Sequence, residues 1–440
     1  MQIARDNSSH AAVSRAAGRA AAGWGPSGAY FKRRALALRK RIESLTGLRE
    51  LVGLNIATDL TADEWASVNA PLATLRDRLL AKLPEASNDA RAANARLGDL
   101  ELEAARAFSL FDTFMDILTQ RHSPALGPLL RGCDVLAAEA LRRDIAGLAG
   151  CRAPIVYCNR GFGAAVVRSD ARLYADIPNI LPLIQIPYGR LQEKLQLTSL
   201  LHEVGHEAMG RLALLPNIRQ ALTTELARGG VPDTVRELYV HWLSEIAADL
   251  WSFLASGMAH AATLREILAL PAEHAFRLSM QVPHPPPYLR ALLGFQLCRA
   301  AWGAGPWEEW EAQWLANYPR SDCPPTTRDL FDAARAALPQ VSRVLLGAKY
   351  KALGGRRLPD LFDLPALAPD ALARHARDLA AGRALAPGVT ACTRLAVFRH
   401  ARDVDGVREE TINRQMKSWL YGLAGRRSRS NVVPLGTRSI

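Results

Sequence analysis

Apolar residues recur every three or four positions along most of this chain, the period of amphipathic helices, and the pattern gives way to short alternating runs in one central block. From Ala29 to Ala149 the period is helical. Phe31 to Leu45 makes a basic amphipathic stretch that reads as a solvated helix face. Thr61 followed by Glu64 has the spacing of a capping box and predicts a helix start. Leu100 to Gln120 is another periodic run, broken at His122-Ser123-Pro124. The alternating block then predicts three strands: Ala153–Cys158, Ala164–Arg168 after a turn at Gly161-Phe162-Gly163, and Ile180–Pro187. The prolines of the third run cannot donate ladder hydrogen bonds, which predicts an edge strand. The helical period resumes over Leu191–Leu215, Asp233–Gly257 and Ala259–Leu268. Pro283 to Pro287 breaks it, and further helical segments follow to Leu423.

The expected fold class is therefore α+β and predominantly helical, with a small sheet whose edge strand precedes the Leu191–Leu215 helix. The expected organisation is a basic arm over 1–28, a helical region over 29–150, a core over 151–290, a helical region over 291–424, and a basic tail over 425–440. The arm and the tail are too polar and too poor in apolar periodicity to predict order.

Composition changes this picture little. The chain has 440 residues, 49% of them apolar, enough for a sizeable interior in more than one unit. The net charge of +12 comes almost wholly from arginines dispersed along the chain, so it does not outline a nucleic-acid interface. Six cysteines without a C-x-x-C pair suggest free thiols and a cytoplasmic protein. No run of 18 apolar residues predicts a membrane span, and the N-terminus lacks the apolar stretch of a secretory signal.

Candidate chemistry sits on the Leu191–Leu215 helix. His202 and His206 are one turn apart on one face, so both rings can reach a single ion. Glu203, beside the first histidine, points next to that ion, where a base for an attacking water belongs. Leu197, Leu200, Leu201, Val204, Ala208 and Leu212 supply the apolar side of the same helix, and Gly205 would permit close approach of backbone or substrate. A catalytic zinc needs a third protein ligand. A third histidine in the following stretch is excluded, because Met209 and Leu212 occupy the positions required. A later helix offers Glu245 and, one turn on, Asp249. Two carboxylates on an otherwise apolar helix are costly to bury unpaired. Binding a metal through Glu245 and orienting a ligand histidine through Asp249 would remove that cost; a solvent-facing pair is the alternative.

His202-Glu203-x-x-His206 followed by Glu245-x-x-Ala248-Asp249 resembles the glutamate-zincin clan of metallopeptidases. With His284-Pro285-Pro286 and Arg290 added, the order resembles the CAAX prenyl endopeptidase and heat-shock metallopeptidase family, over about 195–290. The resemblance implies a zincin-like core, a Zn2+ ion on His202, His206 and Glu245, Asp249 hydrogen-bonded to a ligand histidine, and Glu203 as general base. It makes His284 the first candidate for oxyanion stabilisation, with Tyr239, His241 and Tyr288 as others. It also implies a peptide or protein substrate bound extended along the edge strand, at Leu183, Ile184, Gln185 and Ile186. Family members are typically membrane-embedded, whereas this chain predicts no transmembrane segment. The expected function is a zinc metallopeptidase. A catalytically silent scaffold on the same fold, or a basic nucleic-acid-associated protein, are the alternatives; the presence of Glu203 argues against the former.

Overall fold

The computed structural model describes residues 28–52, 60–84, 89–142, 144–161, 163–169, 171–174, 177–179, 181–381, 383, 385, 386, 388–403 and 408–430. The fold is predominantly helical with a small three-stranded sheet. The chain divides into two compact units. One comprises residues 1–122 with 170–180, the other 123–169 with 181–440.

The first unit is built on α1 (Gly28–Glu43), α2 (Ala62–Ala81) and α3 (Ala90–His122), with a two-stranded ribbon of Arg172–Tyr174 and Ile177–Pro178. The capping box at the start of α2 is formed. The Thr61 hydroxyl accepts from the Glu64 amide at 3.2 Å, and the Glu64 carboxylate accepts from the Thr61 amide at 2.9 Å. Each closes a donor that a helix start leaves open. Residues 1–27 of the expected arm lie outside the described residues.

The second unit carries the sheet, of β1 (Ile155–Asn159), β2 (Ala165–Val167) and β3 (Leu183–Pro187). Its principal helices are α4 (Leu126–Ala140), α5 (Thr198–Arg211), α6 (Leu215–Arg228), α7 (Asp233–His241), α8 (Leu243–Ser256), α9 (Met258–Ile267) and α10 (Pro287–Trp302). They continue with α11 (Trp307–Asn317), α12 (Arg328–Gly347), α13 (Pro369–Ala380), α14 (Ala391–Ala401) and α15 (Glu409–Ser430). Two expected boundaries move. Helix α4, placed in the N-terminal region by the sequence, belongs with the sheet: Asp134 accepts from the Val156 amide of β1 at 2.7 Å. It also packs tightly on α15, where a Cβ on Gly132 would collide with the Leu420 carbonyl. Helix α15 runs past Gly425 to Ser430, since arginine is a good helix former; residues 431–440 lie outside the described residues. Among the described residues no helix is long and apolar enough to cross a membrane.

The strand order is β1-β3-β2, with β3 parallel to β1 and antiparallel to β2. This corrects the expectation for Leu183, Ile184, Gln185 and Ile186, which form the middle strand, paired on both sides, and not an edge. The prolines do not prevent it. Pro182 lies before the strand and only accepts, from the Ile155 amide at 2.9 Å, while Pro187 ends the strand. The edge role passes to β2, which follows α5 in the packing: Ser169, just after β2, donates its amide to Glu207 of α5 at 3.0 Å.

Helices α5 and α8 cross antiparallel and in close contact. Ser252 donates to the Thr198 carbonyl at 2.9 Å at one end. At the crossing a Cβ on Gly205 would lie 2.8 Å from the Ala248 carbonyl oxygen and 2.9 Å from the Trp251 Cβ. Glycine therefore forfeits about 1 kcal/mol of helix propensity to let two backbones touch. Gly205→Leu should separate the helices and lower the midpoint of thermal unfolding by about 4 °C or more, since overpacking costs about 1–3 kcal/mol and a larger side chain more. A circular-dichroism melt measures it, and an unchanged midpoint would contradict the contact.

Candidate metal centre

The expected helix over Asp233–Gly257 is two helices, α7 and α8, divided at Trp242. The division puts Glu245 in the first turn of α8, where the helix dipole favours a carboxylate. Across the α5–α8 contact, Glu245 meets both histidines. The His202 Nε2 to Glu245 Oε2 distance is 3.3 Å, His206 Nε2 to Glu245 Oε1 is 3.3 Å, and the two Nε2 atoms are 3.2 Å apart. Among the described residues these three side chains form a group able to hold a metal ion.

Two observations test whether an ion fits. First, ligands about 2.0–2.1 Å from a tetrahedral zinc are separated by about 3.3–3.4 Å; the two Nε2 atoms are 3.2 Å apart and each is 3.3 Å from a Glu245 oxygen, His202 facing Oε2 and His206 facing Oε1. Second, a neutral His202 turns an acceptor toward Glu245. His202 Nδ1 lies 2.8 Å from Asp249 Oδ1, so the ring donates there and turns the Nε2 lone pair inward. Glu245 Oε2 is buried with no hydrogen-bond donor. Facing lone pairs repel unless a proton or a metal ion lies between them. Burial alone would lower the His202 pKa, yet Asp249 and Glu245 lift it from 6.5 to about 9, so a proton or a metal ion satisfies the Nε2 position facing Glu245. The same site holds Glu245 below the ordinary carboxylate range, its two histidine partners outweighing burial. The pocket thus draws positive charge inward.

Around the triad lies a second set of contacts. Asp249, 3% exposed, accepts from Arg290 twice, at 2.6 Å from Nε and 2.8 Å from Nη2. Its burial is opposed by Arg290 and His202, which keep it ionised well below its usual pKa. Arg290 Nη2 is also 3.6 Å from Glu245 Oε2. His260 from α9 reaches Asp249 Oδ1 at 3.5 Å, and burial lowers its pKa. These groups hold the His202 ring in one orientation.

Glu203 is 6% exposed and lines a cavity of about 160 Å³ together with His202, Glu245, Asp249, His284 and Arg290. Burial raises its pKa, the histidines opposing the shift. A carboxyl group in that state takes and returns a proton more readily near neutral pH than an exposed one. Gly163 and Ala164, leading into β2, line the same cavity. Two larger cavities of the second unit, about 710 and 660 Å³, border none of the triad.

Of the four oxyanion candidates only His284 joins the site. It is half exposed, with Nε2 3.3 Å from Glu245 Oε2. Tyr239 is committed to the Ala334 carbonyl at 2.7 Å, His241 to the Val282 carbonyl at 2.8 Å, and Tyr288 packs against Phe276 and Phe331. His260 was missed by sequence reasoning, which finds no ligand spacing for it. Its one signal is a histidine alone in the apolar run Met258–Leu264, every residue of which is buried. All six cysteines are buried, and none lines the cavity. No protein-family model matches this chain, and no curated protein or solved structure matches it.

Proposed function

We propose that this protein is a zinc metallopeptidase with a zincin-like core. The observation that carries the reading is the triangle of His202, His206 and Glu245 donors with the buried Glu203 carboxyl beside it. An ion bound there supplies Lewis acidity to a carbonyl and lowers the pKa of a water toward about 7.

The chain's own groups do the rest. Glu203 takes a proton from the attacking water and returns it to the leaving amine. Asp249, held by Arg290, fixes the His202 ring. His284 is assigned to the carbonyl oxygen as charge develops on it. The substrate backbone is assigned to the outer edge of β2, at Ala165 and Val166, in place of β3, which is flanked by strands on both sides, and adds there as a further strand. The edge strand beside the cavity and the antiparallel α5–α8 pair support the zincin-like reading.

Purified protein should therefore contain about one zinc per chain and cleave members of a mixed peptide library, with cleavage lost to a chelator and restored by zinc. Mass spectrometry of the library reads the result. Metal-loaded protein that cleaves no peptide would overturn the peptidase reading and favour the silent scaffold.

A further inference from the structure

We propose that Arg190 binds a carboxylate of the substrate, so that this site prefers peptides whose residue beyond the scissile bond carries a negative charge; the inference rests on the peptidase reading above. Arg190 stands on the short helical turn Gly189–Gln192 directly after β3 and lines the same 160 Å³ cavity as His202, Glu203 and Glu245. Its Nη1 donates to the side-chain oxygen of Gln196, and its Nε is buried without an acceptor. Among the described residues Arg190 forms no direct ion pair; burial lowers its pKa, opposed through space by Glu193, whose carboxylate accepts from the Gln196 side-chain amide.

The other guanidinium of the cavity is in the opposite condition. Arg290 is hydrogen-bonded twice to Asp249 and sits beside Glu245. With a divalent ion in place, the ion and Arg290 balance the charges of Glu203, Glu245 and Asp249. Arg190 then remains at the cavity wall as a cation without a direct ion pair, with the Glu193 charge acting on it only through space. A planar guanidinium offers paired donors that match a carboxylate. Leu264, Ile267 and Leu268 make the adjoining wall aliphatic. The cavity is smaller than the ~300–1,000 Å³ of ordinary small-molecule pockets and suits a single residue. A carboxylate could enter from two sources, the C-terminus of a peptide or an Asp or Glu side chain.

Titration calorimetry on zinc-loaded Glu203→Gln protein separates binding from turnover. The probes are acetyl-alanyl-leucine, its amide, and acetyl-alanyl-glutamate amide. The plain amide should bind about tenfold or more weaker than at least one of the other two, the loss expected for a charge-assisted hydrogen bond. Tighter binding of the free acid identifies the C-terminus, and of the glutamate amide the side chain. Arg190→Met should erase the preference and Arg190→Lys should keep part of it. Equal binding of all three probes would overturn the assignment whatever the variants do. Turnover by wild-type protein keeps the two readings apart. Equal kcat/KM for acid and both amides sinks Arg190 and leaves the peptidase standing. A carboxylate preference in binding, with no peptide cleaved, does the reverse.

Discussion

Glu203→Gln protein will keep its zinc and lose peptide hydrolysis by about 10²- to 10⁴-fold, the range that a positioned general base contributes. The substitution preserves size and the ability to hydrogen-bond, and removes only the capacity to hold a proton. Glu203 is outside the ligating triad, so metal content should stay near that of wild type. The site also gives a reason why the effect appears in kcat. The carboxyl is nine-tenths buried and lines a small cavity, so bulk water cannot readily substitute for it as a base. Metal analysis and kcat measured on the same preparation check both halves. A variant that retains activity would remove Glu203 from the mechanism.

Glu245→Ala has the second large effect, and it is on metal rather than on chemistry. The substitution deletes the one group that touches both histidine nitrogens, at 3.3 Å each. Removing an outer-sphere partner typically costs about 10–100-fold in metal affinity, and removing a direct ligand should exceed that. The protein should still fold. Arg290 keeps its two hydrogen bonds to Asp249, and the apolar α5–α8 contact at Gly205 is untouched. Competitive titration against a chelator reads the affinity, and a melt confirms folding. Unchanged zinc content with Glu245 absent would mean that the ion sits elsewhere.

Much of this site was legible in the sequence because its pieces are local. A turn of helix separates His202 from His206, and another separates Glu245 from Asp249, so helical periodicity alone puts each pair on one face. That the two helices meet was inferred from the cost of burying carboxylates, and Gly205 marks where they touch. The parts that failed depend on tertiary packing. Leu183–Pro187 looked like an edge because of its prolines, but their missing donors fall outside or at the end of the ladder. Trp242 ends one helix and begins another without a proline or glycine to announce it. His260 reaches Asp249 only because the chain turns at Gly257, at φ 59°, between α8 and α9. Arg190 stands out by its place on the cavity wall without a direct ion pair, which no local pattern can reveal. The boundary at residue 150 failed for a related reason: α4 is an ordinary amphipathic helix whose partners, β1 and α15, are distant in sequence.

The central claim is that His202, His206 and Glu245 hold a catalytic metal. Anomalous diffraction recorded on both sides of the zinc absorption edge, from crystals of protein purified without added chelator, tests it most directly. A single strong anomalous peak is expected about 2.0–2.1 Å from His202 Nε2, His206 Nε2 and a Glu245 oxygen. An intact fold with no peak between those three side chains, after zinc has been supplied, would contradict it.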